Sequence, residues 1–207
     1  MIRIEKLVTA GNIDPAGPPE HENNVWLVGD DHEVIVVDPS HDPEAVVSAV
    51  DGRDVLAVLL THGHWDHVRA TPAFVERIPA PVFLGEADRF LWEQATGSTD
   101  GFQPLIDGAR FTVGGETLVA MHTPGHTPGS TSLRVEALGA VLTGDTLFPG
   151  GPGATRWDYS DFAQIIASVR ERLCALPGDT VVHPGHGDST TIGAEAPHVD
   201  SWEARGW

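Results

Sequence analysis

Apolar residues follow two rhythms along this chain. Runs such as Val34-Ile35-Val36-Val37 and Val55-Leu56-Ala57-Val58-Leu59-Leu60 are short and bounded by turn residues, which predicts buried strands. Spaced sets such as Val68, Phe74, Val75 and Ile78, or Ile165, Ile166, Val169 and Leu173, predict helices with one apolar face. In order, the pattern predicts a strand at Ile2–Val8, a Gly/Pro-rich loop over Gly11–Glu20, and a hairpin of Val25–Val28 with Val34–Val37 across Gly29-Asp30-Asp31. Asp42 caps and Pro43 opens a helix running through Val50. The strand Val55–Leu60 follows, then a helix from about His67 to Ile78, a strand at Val82–Leu84 and a helix at Glu86–Gln94. Beyond the polar loop Thr96–Gly101, strands are predicted at Arg110–Val113, Thr117–His122, Thr131–Val135, Ala140–Thr143 and Thr180–His183, with a helix at Asp161–Leu176. Two mixed α/β halves whose polar groups gather on strand-end loops predict two sheets packed face to face, with helices outside.

Composition narrows the class. With 207 residues and 41% hydrophobic content, the chain has ample material for a core, and one domain over residues 1–207 is expected. A formal net charge of −18 argues against nucleic-acid or anionic-membrane partners, because such a surface repels phosphate. The single cysteine, Cys174, excludes an intramolecular disulfide and falls in the Asp161–Leu176 helical pattern, as a small core residue would. Neither an N-terminal apolar leader nor a membrane-spanning run is visible, so the cytoplasm is the expected compartment.

The chemistry is concentrated in Thr61-His62-Gly63-His64-Trp65-Asp66-His67, directly after the Val55–Leu60 strand. Three imidazoles and a carboxylate within six residues exceed what a turn needs and have the makings of a metal site. Gly63 is expected to bend the backbone so that His62 and His64 converge on one ion. Asp66 and His67, where a helix should begin, can point toward a second ion. Three later loops at strand ends each place a ligand-type residue beside glycine: His126, Asp145 and His186. The remaining histidines suggest no ligand role: His21, His32 and His41 in polar turns, His122 and His183 at strand ends or supporting the ligands from behind, and His198 in the tail. Asp38, ending its strand, reads equally as a partner that orients a ligand histidine or as a turn residue.

Together, the H-x-H-x-D-H run, Pro124-Gly125-His126-Thr127-Pro128-Gly129-Ser130, Thr143-Gly144-Asp145-Thr146-Leu147-Phe148 and Pro184-Gly185-His186-Gly187 resemble the metallo-β-lactamase superfamily. Within it, the chain is most similar to short glyoxalase-II-like hydrolases, from Asn24-Val25-Trp26-Leu27-Val28 to Thr190-Thr191-Ile192-Gly193. The resemblance implies a four-layer αββα sandwich with the site at one edge between the sheets. It assigns His62, His64 and His126 to one metal, Asp66, His67 and His186 to another, and Asp145 as a bridge between them. The expected cofactors are therefore two divalent ions, zinc first, with iron or manganese also suited to imidazole. Two cations sharing a solvent molecule lower its pKa to about 7, so hydroxide attack needs no serine nucleophile, and no Gly-x-Ser-x-Gly elbow is present. Asp66 could also orient that hydroxide.

The expected substrate is a small-molecule thioester, whose thiolate leaves with little protonation. A persulfide dioxygenase with one iron, a lactonase and a non-catalytic zinc-binding module compete with this expectation. The chain departs from the patterns of its family in three places. No counterpart of the additional helical domain with which glyoxalase II binds glutathione is expected in residues 1–207. It carries Gly153-Ala154-Thr155-Arg156-Trp157-Asp158 where many relatives have Gly-Arg-Thr-Asp. It has Gly187-Asp188-Ser189 where persulfide dioxygenases tend to have Asp-Tyr. Arg156, the only basic residue between Arg134 and Arg170, reads as a solvated surface arginine before a group that meets a substrate anion. Because the loops expected around the site contain few cations, an uncharged sugar-containing thiol such as mycothiol is expected to fit better than glutathione, with Trp157 or Tyr159 stacking on its rings.

Overall fold

The computed structural model describes residues 1–16 and 21–206, so the expected Gly11–Glu20 loop lies partly outside the described residues. Strands β1 (Arg3–Gly11), β2 (His21–Gly29), β3 (Glu33–Val37), β4 (Asp54–Leu59), β5 (Val82–Leu84) and β6 (Gln103–Pro104) form one sheet in sequence order. The second sheet contains β7 (Arg110–Val113), β8 (Glu116–His122), β9 (Thr131–Val135), β10 (Ala140–Gly144), β13 (Val181–Pro184) and β14 (Thr190–Thr191), in the order β14-β13-β10-β9-β8-β7. Between β10 and β13, β11 (Leu147–Phe148) and β12 (Gly151–Pro152) pair as a small separate ribbon.

Alternation along the strands sorts side chains into three apolar layers. Trp26, Val28, Ile35, Val37 and Leu59 of the first sheet meet Leu118, Leu133, Val135 and Leu142 of the second. Their neighbours Val25, Leu27, Val34, Val36 and Val58 face the opposite way, against Val46, Val50, Phe74 and Trp92. Those four lie on α1 (Pro43–Val50), α3 (Thr71–Arg77) and α4 (Arg89–Thr96). Behind the second sheet, Val141 and Val182 pack on Ile165 and Ile166 of α5 (Phe162–Ser168) and on Trp202 of α7 (Val199–Arg205). The result is the αββα sandwich. Cys174, expected as a small core residue, is only partly buried and packs against the edge of this last layer. Among the described residues, no helix is long and apolar enough to cross a membrane.

The expected helix from His67 to Ile78 is two helices, α2 (Trp65–Val68) and α3. Pro72 has no N–H to offer the Val68 carbonyl, which breaks the ladder there. The break gives the site its own short helix. The predicted Glu86–Gln94 helix opens with a 3₁₀ turn, Glu86–Asp88, and continues as α4. At the other long helix Asp161 is the cap, accepting from the Gln164 N–H at 2.9 Å, and after α5 the chain runs on as a π-helical segment, Val169–Leu173. Two-residue strands and the tail helices α6 (Ile192–Glu195) and α7 carried no readable period.

Parallel pairing places the functional loops. Since β3 and β4 run parallel, Asp38 and the Thr61–His67 loop emerge at the same edge. The parallel pair β10 and β13 likewise delivers Asp145 and His186 together.

Candidate metal centre

All of the residues predicted as ligands converge at that edge. Nε2 of His62 lies 3.1 Å from Nδ1 of His64, which lies 3.0 Å from Nε2 of His126. On the other side, Nε2 of His67 is 3.2 Å from Nε2 of His186, and Oδ2 of Asp66 is 3.6 and 3.4 Å from these two atoms. Asp145 lies between the groups: Oδ2 is 3.6 Å from His126 Nε2 and 3.3 Å from His186 Nε2, and Oδ1 is 3.5 Å from His67 Nε2. Such separations match the edge of a ligand tetrahedron, about 3.3 Å for metal–nitrogen bonds near 2.0–2.1 Å.

The outer nitrogens fix the tautomers. Nδ1 of His67 faces Asp38 Oδ2 at 3.0 Å, Nδ1 of His186 faces the Glu22 carbonyl at 2.7 Å, and Nδ1 of His126 faces the Ala154 carbonyl at 2.7 Å. Those oxygens only accept, so each Nδ1 carries a proton and Nε2 is the atom each ring turns inward, open to a metal ion or a second proton. Thr61 Oγ1 donates to Asp38 Oδ2 at 2.6 Å and therefore accepts from His62 Nδ1 at 3.1 Å, giving the same result. Inward ring nitrogens at such distances repel as lone pairs unless a proton or a metal ion stands between them. Oδ1 of Asp145 is buried without a hydrogen-bond partner, a costly arrangement that a cation would also relieve. The donor set fits metal ions.

Electrostatics point the same way. Burial, reinforced by neighbouring imidazoles, holds His62 and His64 well below the usual histidine range and lowers His126, keeping them in the neutral ligand form. Burial also opposes charge on His67, yet Asp66, Asp145 and Asp38 outweigh it and raise the imidazole to about 10. At His186 burial again lowers, and Asp145 prevails to raise the ring above its ordinary value. Burial pushes Asp145 up, but His186 and His67 hold its carboxyl well below the usual range. The carboxylates thus call for positive charge beside His67 and His186, which a metal ion supplies in place of protons.

A second layer holds the ligands. Asp38, buried and at φ +50°, accepts from the Thr61 N–H at 2.7 Å as well as from Thr61 Oγ1 and His67, which decides for its orienting role. Asn23, fully buried, donates to Asp66 Oδ2 at 3.1 Å and accepts from His41 Nε2 at 2.7 Å. Asp88 accepts from the Gly63 N–H at 2.8 Å, the Gly129 N–H at 2.7 Å and Thr127 Oγ1 at 2.6 Å, tying the first histidine loop to the loop of His126. Gly63 is required by this close approach rather than by a bend: its φ is not positive, and a Cβ would lie 2.8 Å from Leu91 Cβ and 2.9 Å from Asp88 Cβ.

Sequence reasoning missed Asn23, Asp88 and His21. His21, expected in a polar turn, begins β2 with its ring centroid 4.6 Å from that of His186, and groups with Asp66 and His186. Nothing in its sequence surroundings marks it. The group of Asp38, His62 and His67 lies behind the inward-facing nitrogens and belongs to the supporting layer. His122 and His183 are held by Pro128 and Ser189, away from the ligands, as expected of strand-end residues.

A cavity of about 590 Å³ opens onto the ligands, lined among others by Trp65, Phe148, Arg156, Trp157 and Tyr159. Tyr159 Oη is 2.9 Å from His64 Nε2, and the Trp157 and Tyr159 rings are near-parallel, 8° apart with centroids 6.1 Å apart. Burial raises the Tyr159 phenol to about 12, so it remains a neutral hydroxyl at this wall.

A two-sheet sandwich with histidines and carboxylates on its strand-end loops defines a metallo-β-lactamase-type protein. Residues 18–186 match the family model of the metallo-beta-lactamase superfamily, and the chain belongs to that superfamily. It is 31% identical over 200 residues to the hydroxyacylglutathione hydrolase GloC of Haemophilus influenzae, covering 89% of this chain and 94% of that one. Among solved structures it resembles TTHA1623 in a di-iron-bound form (TM-score 0.77, 32% identity, 91% of this chain and 96% of that one). It also resembles the BLEG-1 B3 metallo-beta-lactamase (TM-score 0.76, 29% identity, 93% of this chain and 97% of that one).

Proposed function

We propose that residues 1–207 act as one metallo-hydrolase domain that cleaves a thioester of a low-molecular-weight thiol at a two-metal centre. The observation that carries this reading is the convergence of inward ring nitrogens in two groups, with the partnerless Asp145 oxygen between them. In this reading His62, His64 and His126 hold one ion, Asp66, His67 and His186 hold the other, and Asp145 serves both. When bound there, divalent cations would lower the pKa of water toward neutrality and polarise a carbonyl. The chain's own groups do the rest. Asp66, steadied by Asn23, can accept a hydrogen bond from the attacking water. Tyr159 holds the ring of His64 by its hydroxyl, and Trp157 and Tyr159 give the cavity an aromatic wall against which an acyl or thiol arm would pack. The thiolate then leaves without a dedicated acid, since thiols ionise near pH 8.5.

Similarity to a hydroxyacylglutathione hydrolase supports the choice of a thioester over a lactone or persulfide. Zinc is the preferred occupant by ligand type, and iron is admissible, since a structural neighbour holds two iron ions. The test is to reconstitute the protein with zinc, iron or manganese, measure metal content, and assay thioesters, lactones and persulfides on the same sample. Thioester hydrolysis with two ions per chain is expected. One tightly held iron with oxygen consumption on a persulfide rejects the reading.

A further inference from the structure

Basic groups are scarce in this chain, 12 against 30 acidic ones, so an arginine without a carboxylate partner is unusual. Arg3, Arg53, Arg77 and Arg89 face carboxylates, as do Arg134, Arg170 and Arg172. Arg69, Arg110 and Arg156 face none among the described residues. Two of these lie over a tryptophan instead, Arg69 at 5.0 Å from the Trp65 ring and Arg156 at 4.8 Å from the Trp157 ring. Both tryptophans line the cavity over the candidate ligands, Arg156 lines it with them, and Arg69 lines the hollow on the far side of Trp65. Trp157 packs on His64 with ring centroids 4.4 Å apart, and Arg156 lines the cavity over the ligands. Trp65 and Pro15 separate that cavity from a smaller polar hollow of about 380 Å³, lined by Asn12, His41 and Arg69.

Stacking holds a guanidinium plane while leaving its N–H edge free, which is the presentation that binds a carboxylate through two parallel hydrogen bonds. We infer that Arg156, with Arg69 across Trp65, forms a carboxylate-reading rim, so that the preferred substrate is an anionic thioester. The inference rests on the thioester reading and adds the charge of the substrate. It revises the expectation that an acidic chain with a single nearby cation favours an uncharged thiol, because Arg156 lines the cavity with no carboxylate partner among the described residues and Arg69, likewise without one, lies behind Trp65. A carboxylate on the acyl arm would still admit a neutral thiol such as mycothiol, whereas one on the thiol arm would favour glutathione-like carriers.

Metal-reconstituted protein is assayed with three thioesters: S-butanoyl-N-acetylcysteamine, S-butanoyl-N-acetylcysteine, which adds a thiol-side carboxylate, and S-succinyl-N-acetylcysteamine, which adds an acyl-side one. Wild type is expected to favour one anionic member over the neutral one by roughly tenfold in kcat/KM, the worth of a charge-assisted pair at a partly exposed site. Arg156→Gln should remove most of that ratio, the double variant with Arg69→Gln the remainder, and Arg156→Lys should restore only part of it. Calorimetry with the unreactive thioethers S-butyl-N-acetylcysteine and S-(3-carboxypropyl)-N-acetylcysteamine, against S-butyl-N-acetylcysteamine, reads the same preference without turnover. A wild type indifferent to the carboxylate on both arms, or a preference that survives the double variant, overturns the inference. Arginine-dependent thioether binding without hydrolysis of any thioester overturns the thioesterase reading and leaves the rim standing.

Discussion

Removing the Asp145 carboxylate takes away an oxygen pair that lies within 3.6 Å of histidine nitrogens from both ligand groups. Asp145→Ala should therefore lower turnover by about a thousandfold or more and cut metal content below two ions per chain, while metal-free unfolding changes little. Full activity with full occupancy in that variant would sink the bridging assignment. Asp38→Asn probes the layer behind. Its amide cannot accept from Thr61 N–H, Thr61 Oγ1 and His67 Nδ1 all at once, so affinity on the His67 side should fall roughly 10–100-fold. Competition with a chelator measures this. Proton linkage supplies another residue-scale test, at His183, whose imidazole burial lowers to about 4. A folded-state pKa below the unfolded value near 6.5 means that the unfolded chain binds the proton first. This contribution is complete above about pH 6.5 and is lost as pH falls toward 4. Metal-free His183→Gln should accordingly show a flatter decline of the urea midpoint over that window than wild type, and identical declines would remove His183 from the account.

At the scale of elements, what positions the metal centre is the bracing between loops more than the loops themselves. Asp88, in the 3₁₀ turn before α4, joins the β4 loop to the β8–β9 loop, so the first ion's ligands are only as well aligned as this brace. Asp88→Ala leaves the Gly63 and Gly129 N–H groups without acceptors, while the Thr127 hydroxyl keeps Ser130 Oγ at 2.7 Å. Each orphaned donor costs about 1–3 kcal/mol, so a loss of about 2 kcal/mol or more is expected in denaturant unfolding of the metal-free protein. A loss below 1 kcal/mol would mean that water replaces the carboxylate. The sequence made the ligand loops legible because each follows a strand with a clear apolar run and pairs its ligand with glycine. It made the braces illegible because Asn23 and Asp88 act across 43 and 41 residues, on Asp66 and Gly129, and no local spacing encodes such a contact. The same limit explains α2. The apolar spacing of Val68, Phe74, Val75 and Ile78 reads as one helix, and only the backbone consequence of Pro72 divides it.

The whole molecule separates its stability from its chemistry. The three apolar layers pack between and behind the sheets, whereas every candidate ligand lies at one edge, outside those layers. The αββα architecture was readable from strand periodicity together with the four motifs. Arg156 was readable as a cation near the site, but its freedom from ion pairs among the described residues and the place of Arg69 behind Trp65 were not, because both are properties of the folded surface. This separation implies that metal-free protein stays folded but loses the free energy of binding. At a free metal concentration about 1,000 times Kd, a single site contributes about 4 kcal/mol, or roughly 10 °C in Tm for a chain of this size. Stripping with a chelator should lower Tm by at least that amount while far-ultraviolet circular dichroism keeps its folded signature. Titrating zinc back should restore Tm along a curve that saturates at two equivalents per chain, because the inward ring nitrogens form two groups and Asp145 faces both. Saturation at one equivalent, or a chain that unfolds when stripped, would contradict the two-ion centre in the first case and the independent core in the second.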